Sequence, residues 1–317
     1  MVFERLGLPR AAGDGGGMNT LALRRAMTAL ALLAVLGGPA AAGQIQLTDD
    51  SGRAVTLKQP ARRIISLAPH ITELLFAAGA GDRVVGAVEH SDYPAAAQGV
   101  ARIGDSAQLD LERIIGLKPD LIVVWQHGNA QRQLDKLLLL GIPVFYNEPR
   151  RLPDIARSLE QFGRLAGTQT VALAAARSVT ERLAELGARH RTRPQVRVFF
   201  QIWGKPLLTI NGDQIISDVI RLCGGENVFA DLSPLVPSIS TEAVVTMDPE
   251  AIFGSSTELS AADKLDGWKK WPHLNAVARN NLFVIHSDLM HRHTPRLLLG
   301  AQQLCGDLEV ARSRRPK

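Results

Sequence analysis

Four histidines, His90, His127, His291 and His293, stand in short polar stretches that follow apolar runs of β type. Imidazole in such places can ligate cobalt, iron or zinc, or exchange hydrogen bonds with amide groups. His90 or His291 as an axial metal ligand is one reading, and an ordinary polar surface residue is the other. Trp125 and Trp203 close apolar runs in the same way. A flat indole covers a large planar ligand at small cost in rotamer freedom, and the carboxyl end of a strand is where open α/β sheets place ligands. Trp268 and Trp271, inside Gly267-Trp268-Lys269-Lys270-Trp271-Pro272, suit the cover of a helix or loop. The bond-breaking patterns are missing: there is no Gly-x-Ser-x-Gly elbow, no Walker loop and no His-Glu-x-x-His helix. His291-x-His293 is too short a pattern to specify zinc, so no catalytic or metal-holding residue is expected. The reading from another class is an exported metal enzyme built on His286, His291 and His293.

Two glutamates are singled out by an internal repeat. Leu111-Glu112-Arg113-Ile114-Ile115-Gly116-Leu117-Lys118-Pro119-Asp120 and Thr241-Glu242-Ala243-Val244-Val245-Thr246-Met247-Asp248-Pro249-Glu250 share one pattern. Each reads as a short helix with a glutamate in its first turn, ended by a proline and followed by a strand. A carboxylate there is favoured by the helix dipole alone. A second echo lies upstream of each copy, Glu73-Leu74-Leu75-Phe76-Ala77-Ala78-Gly79 and Asp218-Val219-Ile220-Arg221-Leu222-Cys223-Gly224. Two echoes in the same order imply two related lobes.

The elements that position these residues alternate between strand and helix. Strands are expected over 63–67, 83–88, 121–125 and 144–146, with helices over 71–78, 111–117, 130–140 and 155–166. The second half repeats the scheme, with strands over 196–201, 251–253 and 282–285 and helices over 215–222, 241–247 and 296–311. This alternation points to an α/β fold of two Rossmann-like lobes with mostly parallel sheets. Val171, Ala175, Val179, Leu183 and Leu186 keep helical spacing between the lobes, and Pro194 stops the run. One stiff helix of about 33 Å would join the lobes and allow little hinge rotation. The expected organisation is a first lobe over 43–167, an interlobe helix over 168–193 and a second lobe over 194–317.

Residues 1–42 stand apart. Arg24 and Arg25 precede the apolar run of 26–36, and Ala40-Ala41-Ala42 supplies small residues for cleavage, so residues 18–42 read as a secretory signal with its start at Met18. The run is too short for a membrane span, and the expected product is soluble and exported, cleaved near Ala42. Cys223 and Cys305 are the only cysteines. An oxidising compartment favours joining them, and two separate buried thiols are the alternative. The chain carries 36 Lys+Arg against 31 Asp+Glu among 317 residues. That balance, without any basic stripe, excludes a nucleic-acid partner.

Ser66-Leu67-Ala68-Pro69-His70-Ile71-Thr72-Glu73-Leu74, Ser91-Asp92-Tyr93-Pro94 and Leu111-Glu112-Arg113-Ile114 resemble the helical-backbone (class III) solute-binding proteins of ABC importers. Leu117-Lys118-Pro119-Asp120-Leu121, Gly128-Asn129-Ala130 with Arg132-Gln133, Cys223-Gly224-Gly225-Glu226-Asn227 and Ala301-Gln302-Gln303-Leu304-Cys305 narrow the likeness toward members that carry cobalamin. The resemblance implies a monomer that holds its ligand in the cleft between lobes and delivers it to permease subunits at the inner membrane, with Glu112 and Glu242 docking onto arginines there. It places His90 at the family's cleft aromatic and Asp288-Leu289-Met290-His291-Arg292 at its second-lobe ligand loop, beside Trp125 and Trp203, and it pairs Cys223 with Cys305. Cobalamin is then a transported ligand, not a catalytic cofactor; haem or a ferric siderophore is the alternative within the family.

Overall fold

The computed structural model describes residues 44–105, 107–128, 131–257 and 261–316. The expected signal over 18–42 and the Asn129-Ala130 pair lie outside them. The described residues form one compact unit.

The chain enters through a hairpin, β1 (Ile45–Thr48) and β2 (Ala54–Leu57), paired antiparallel. Asp49 accepts hydrogen bonds from the Ser51 and Arg53 backbone N–H groups, each at 2.9 Å, and so shapes the turn. The first lobe is then built from β3 (Ile64–Ser66), α1 (Pro69–Ala77), β4 (Val84–Ala87), β5 (Ala101–Arg102), α2 (Leu111–Gly116), β6 (Leu121–Trp125), α3 (Gln131–Leu138), β7 (Val144–Asn147) and α4 (Leu152–Ala166). Its five strands pair in the order β5-β4-β3-β6-β7, all parallel. The central runs Ile64-Ile65 and Leu121-Ile122-Val123-Val124 are wholly buried. Unbroken apolar runs of this kind are what a parallel strand covered on both faces requires.

Helix α5 (Gln169–His190) leads to the second lobe. It packs closely on α4 because Gly163 carries no side chain; a Cβ there would lie 2.3 Å from the Ala172 Cβ. Thr168 donates to the Ala78 carbonyl at 2.7 Å and ties the start of α5 to the first lobe. At its far end, His190 Nδ1 lies 3.2 Å from Glu309. The second lobe comprises β8 (Val196–Gln201), the ribbon β9 (Trp203–Gly204) and β10 (Leu207–Leu208), α6 (Ile215–Leu222), β11 (Gly225–Asn227), α7 (Thr241–Met247), β12 (Ala251–Ser256), α8 (Asn275–Ala278), β13 (Leu282–His286), α9 (Ser287–His291) and α10 (Leu297–Ser313). Its sheet runs β11-β8-β12-β13, again parallel throughout.

The sequence repeat is a repeat of structure. α2 and α7 are capped by Asp110 and Ser240, whose side chains accept from the N–H of Arg113 and Ala243. α7 ends at Met247, where its pattern places it, and α2 at Gly116, one residue short; in each, the residue before the proline turns left-handed, with φ of 46° at Lys118 and 42° at Asp248. A residue before proline is sterically driven out of the right-handed helical region. The acid after each proline then donates its N–H to the strand beginning alongside: Asp120 to the Arg63 carbonyl at 2.9 Å, Glu250 to that of Arg197 at 2.8 Å.

Cys223 and Cys305 are joined in a disulfide linking the end of α6 to the middle of α10. Besides α5, polar ties cross between the lobes in two places among the described residues. Arg151 pairs with Asp218 at 2.8 Å and with Asp213 at 3.2 Å; elsewhere Glu73 meets Arg292 and Arg296, and Asp92 meets Arg292.

Candidate functional site

The carboxyl ends of β8, β12 and β13 open on one side of the second lobe, as the parallel arrangement dictates. A cavity of about 1210 Å³ lies there, lined by Gln201 and Trp203 at the end of β8, Gly254 to Ser256 in β12, and Ser287 and His291 after β13. Single ligand pockets commonly measure roughly 300–1,000 Å³, so this volume suits a bulky guest. Three indoles line it. Trp268 is buried and donates to Gln201 Oε1 at 2.8 Å, which fixes its ring. Trp203 is 59% exposed, its Nε1 bonded to the Lys205 carbonyl at 2.9 Å. Trp271 is also exposed. It lines the cavity beside Trp268, whose ring also packs in the core against Phe199 at 5.5 Å, as its sequence context implies.

His291, exposed, places Nε2 2.9 Å from Ser255 Oγ. Asp288 opens the short helix α9, its N–H bonded to His286 Nδ1. Leu289 is half-buried and leans on the main core. Met290 is fully buried in that core beneath Gly300, which withdraws it from the expected ligand loop: in a one-turn helix the fourth residue rotates away from the cleft. Arg292 departs further from its expected place as a ligand grip. Its guanidinium crosses to the first lobe, bonding Glu73 at 2.8 Å and Asp92 at 2.7 Å, while Asp288 lies 3.2 Å from its Nε. Burial works against the charge of both Arg292 and Asp92. Their mutual hydrogen bond, together with Glu73 and Asp288 around the arginine and Arg296 beside the carboxyl, outweighs it, holding the arginine above and the carboxyl below their usual ranges.

On the first lobe, Trp125 ends β6 half-buried. Gly128 lies against its face, where a Cβ would fall 1.7 Å from the ring, so the turn can close over the indole only with glycine. The edge of His70 meets this indole at 5.2 Å between centroids, and His293 lies 5.9 Å from His70. Burial is the leading cause that keeps both histidines neutral, lowering His70 well below its ordinary value and His293 to about 4. His90 is exposed with φ of 64°. His127, also exposed, pairs with Glu148 at 3.1 Å. The trio His286, His291 and His293 does not converge: each side chain turns to a different partner. Among the described residues no group of three or more His, Cys, Asp or Glu is placed to hold a metal ion.

Glu112 and Glu242 are exposed at matched first turns of α2 and α7. Glu242 also stands on the rim of the cavity. Hydrogen bonds from its own backbone N–H and from Ser240 hold its carboxyl below the usual range, so it is ionised at neutral pH. Sequence reasoning passed over Glu73, Arg296, Trp271 and Lys270 as site residues. The Gly-Trp-Lys-Lys-Trp-Pro context held a signal for Trp271 and Lys270; nothing local announced the pairing of Glu73 with Arg296.

A family model for the periplasmic binding protein family matches residues 64–289. The chain belongs to this family. As a periplasmic binding protein it is 38% identical over 259 residues to the vitamin B12-binding protein of Vibrio parahaemolyticus, covering 81% of this chain and 93% of that one. Among solved structures it is similar to the periplasmic vitamin B12 binding protein BtuF of Vibrio cholerae, with a TM-score of 0.74 and 36% identity over 80% of this chain and 98% of that one. The haem-binding protein BhuT, at 18% identity and a TM-score of 0.70 over 80% and 99% of the two chains, shares the fold. No helix among the described residues is long and apolar enough to cross a membrane.

Proposed function

We propose that this periplasmic binding protein captures cobalamin between its lobes and delivers it to the permease of an ABC importer, without chemistry on the ligand. The observation that carries the reading is the 1210 Å³ cavity on the second lobe's side, walled by Trp203, Trp268 and Trp271, a volume and a set of flat apolar faces suited to a corrinoid. His291 joins the grip from the cavity wall, and the family resemblance adds Trp125 and His90 from the first lobe and Asp288, Leu289 and Arg292 from the second. Imidazole and carboxylate groups exchange hydrogen bonds with the amides that ring a corrin. The relatives named for vitamin B12 support this choice of ligand. Glu112 and Glu242 dock onto the permease, one acid from each lobe, and their equivalent places in the structural repeat support that role. The protein acts as a soluble monomer after cleavage near Ala42, with lobes over 43–167 and 194–317 flanking the helix of 168–193.

The test is titration of the purified protein with cyanocobalamin and with haemin, followed by tryptophan fluorescence and visible absorption. Tight saturation by cyanocobalamin is expected. Trp203→Ala should weaken it by roughly 5- to 30-fold, the loss of about 1–2 kcal/mol of aromatic contact. Saturation by haemin with no response to cyanocobalamin would overturn the choice of ligand.

A further inference from the structure

The seam between the lobes holds a charge arrangement that ligand capture alone does not call for. Glu73, on α1 of the first lobe, has a side chain 2% exposed. Its carboxylate accepts four hydrogen bonds from the second lobe: Arg292 Nη1 at 2.8 Å, Thr294 Oγ1 at 3.0 Å, Arg296 Nε at 2.9 Å and Arg296 Nη2 at 2.5 Å. Asp92 takes a further bond from Arg292, and Asp288 lies within 3.9 Å of Arg296 as well as beside Arg292. Arg296 in turn stacks over the Tyr93 ring at 3.8 Å. Two guanidinium groups therefore face three carboxylates, leaving the cluster with one net negative charge when all five are ionised. Glu73 and Asp92 belong to the first lobe and Asp288, Arg292 and Arg296 to the second, so the cluster spans the seam in which the binding role proposed above puts the ligand; Ser287 and His291, on the helix that carries Asp288, line the cavity.

A site that receives anions leaves its arginines uncompensated, since a bidentate guanidinium is the strongest carboxylate receptor a protein has. Here both arginines are engaged by the protein's own acids. An incoming carboxylate must displace Glu73 or Asp92, or sit unpaired against a net negative field, and like charge at an interface suppresses the wrong partner. A neutral amide meets no such opposition. We propose that Glu73 and Asp92 are specificity-determining residues, which neutralise Arg292 and Arg296 so that the cleft selects an uncharged, amide-bearing ligand over a carboxylate-bearing one of the same shape. The inference rests on the binding role proposed above and adds the basis of its selectivity.

The experiment compares cyanocobalamin with its derivative in which one side-chain amide is hydrolysed to a carboxylate, at low ionic strength, in the natural protein, Asp92→Asn and Glu73→Gln. The natural protein should favour the amide. Asp92→Asn, at a half-exposed position that tolerates change, should move the affinity ratio toward the acid by about 3- to 5-fold, the size of one partly solvated charge pair. The shift should shrink at high salt, as screening requires. A ratio unchanged in Asp92→Asn, or equal weakening of both ligands, overturns the proposal and leaves these acids a structural role alone. Glu73→Gln should move the ratio further if it folds; Asp92→Asn decides the matter if it does not. Should the natural protein bind neither corrinoid, the choice of ligand fails separately. The same ratio is then read with haemin against its uncharged dimethyl ester, where an unchanged ratio again overturns the charge argument.

Discussion

Replacing Cys223 and Cys305 together by alanine removes the covalent tie between α6 and α10. The closed loop spans 82 residues and contains β11, α7, β12, β13 and α9, most of the cavity's wall. Chain-entropy accounting for a loop of that length gives about 4.5 kcal/mol of stabilisation through the unfolded state. Both sulfurs are buried, so alanine leaves a small void that adds roughly 1 kcal/mol. A chain of this size loses about 2 °C in Tm per kcal/mol, which sets the expected fall at roughly 10 °C. The assay is thermal unfolding followed by tryptophan fluorescence. Trp203, Trp268 and Trp271 belong to the second lobe and Trp125 alone to the first, so the signal reports mainly on the lobe that holds the bridge. Unfolding the natural protein with reductant should reproduce most of the fall, because it opens the loop without making the void. A fall below about 2 °C in both measurements would refute the entropic reasoning. A large fall in the alanine variant with none on reduction would assign the effect to packing.

Two further outcomes follow. Glu112→Ala combined with Glu242→Ala should lower cobalamin uptake in cells by about tenfold or more, because truncating an acid that pairs across an interface strands its partner; Glu112→Ala alone should leave ligand affinity intact, and collapse of that affinity would move Glu112 into the pocket. Stability should fall with acid through the histidines. The folded state keeps His70 and His293 neutral while unfolded histidine protonates near 6.5. The unfolded state thus binds more protons from pH 6.5 down to about 4, and Tm drops across that window. Asp307, pushed up to about 6 by burial, opposes this in part, because its folded form gains a proton first. His70→Phe should flatten the slope between pH 6.5 and 4, and an unaltered slope would show that acid acts elsewhere.

Much of the fold is legible where periodicity and burial coincide. β6 over 121–125, α6 over 215–222 and α7 over 241–247 match their sequence readings because each is bounded by a proline, a capping residue or a glycine turn. The elements passed over are short: the β1–β2 hairpin, the two-residue β5, the ribbon β9–β10, the three-residue β11 and the one-turn helices α8 and α9. Runs that brief carry no period to detect, and their pairing comes from neighbours distant in sequence. The site divides along the same line. Trp203, His291, Glu112 and Glu242 announce themselves by type and place. Glu73 sits in His70-Ile71-Thr72-Glu73-Leu74-Leu75, where a charged residue on a helix reads as solvent-facing, and only the folded chain reveals the arginines that bury it. Arg292 was legible as a charge at the cleft but not as one already spent on the opposite lobe. Met290 inverts its expected role because α9 is a single turn, too short for a spacing argument to orient.

α5 is a strut clamped at both ends, by Thr168 on one lobe and by His190 against Glu309 on the other. Twist and bend are the soft modes of such a strut, so the binding role proposed above predicts that an empty molecule and a loaded one share nearly the same outline. A carrier of this build would not advertise its cargo by changing shape, nor let go by gaping. A permease receiving it would have to feel the freight directly through the open seam and supply the force that pries the halves apart.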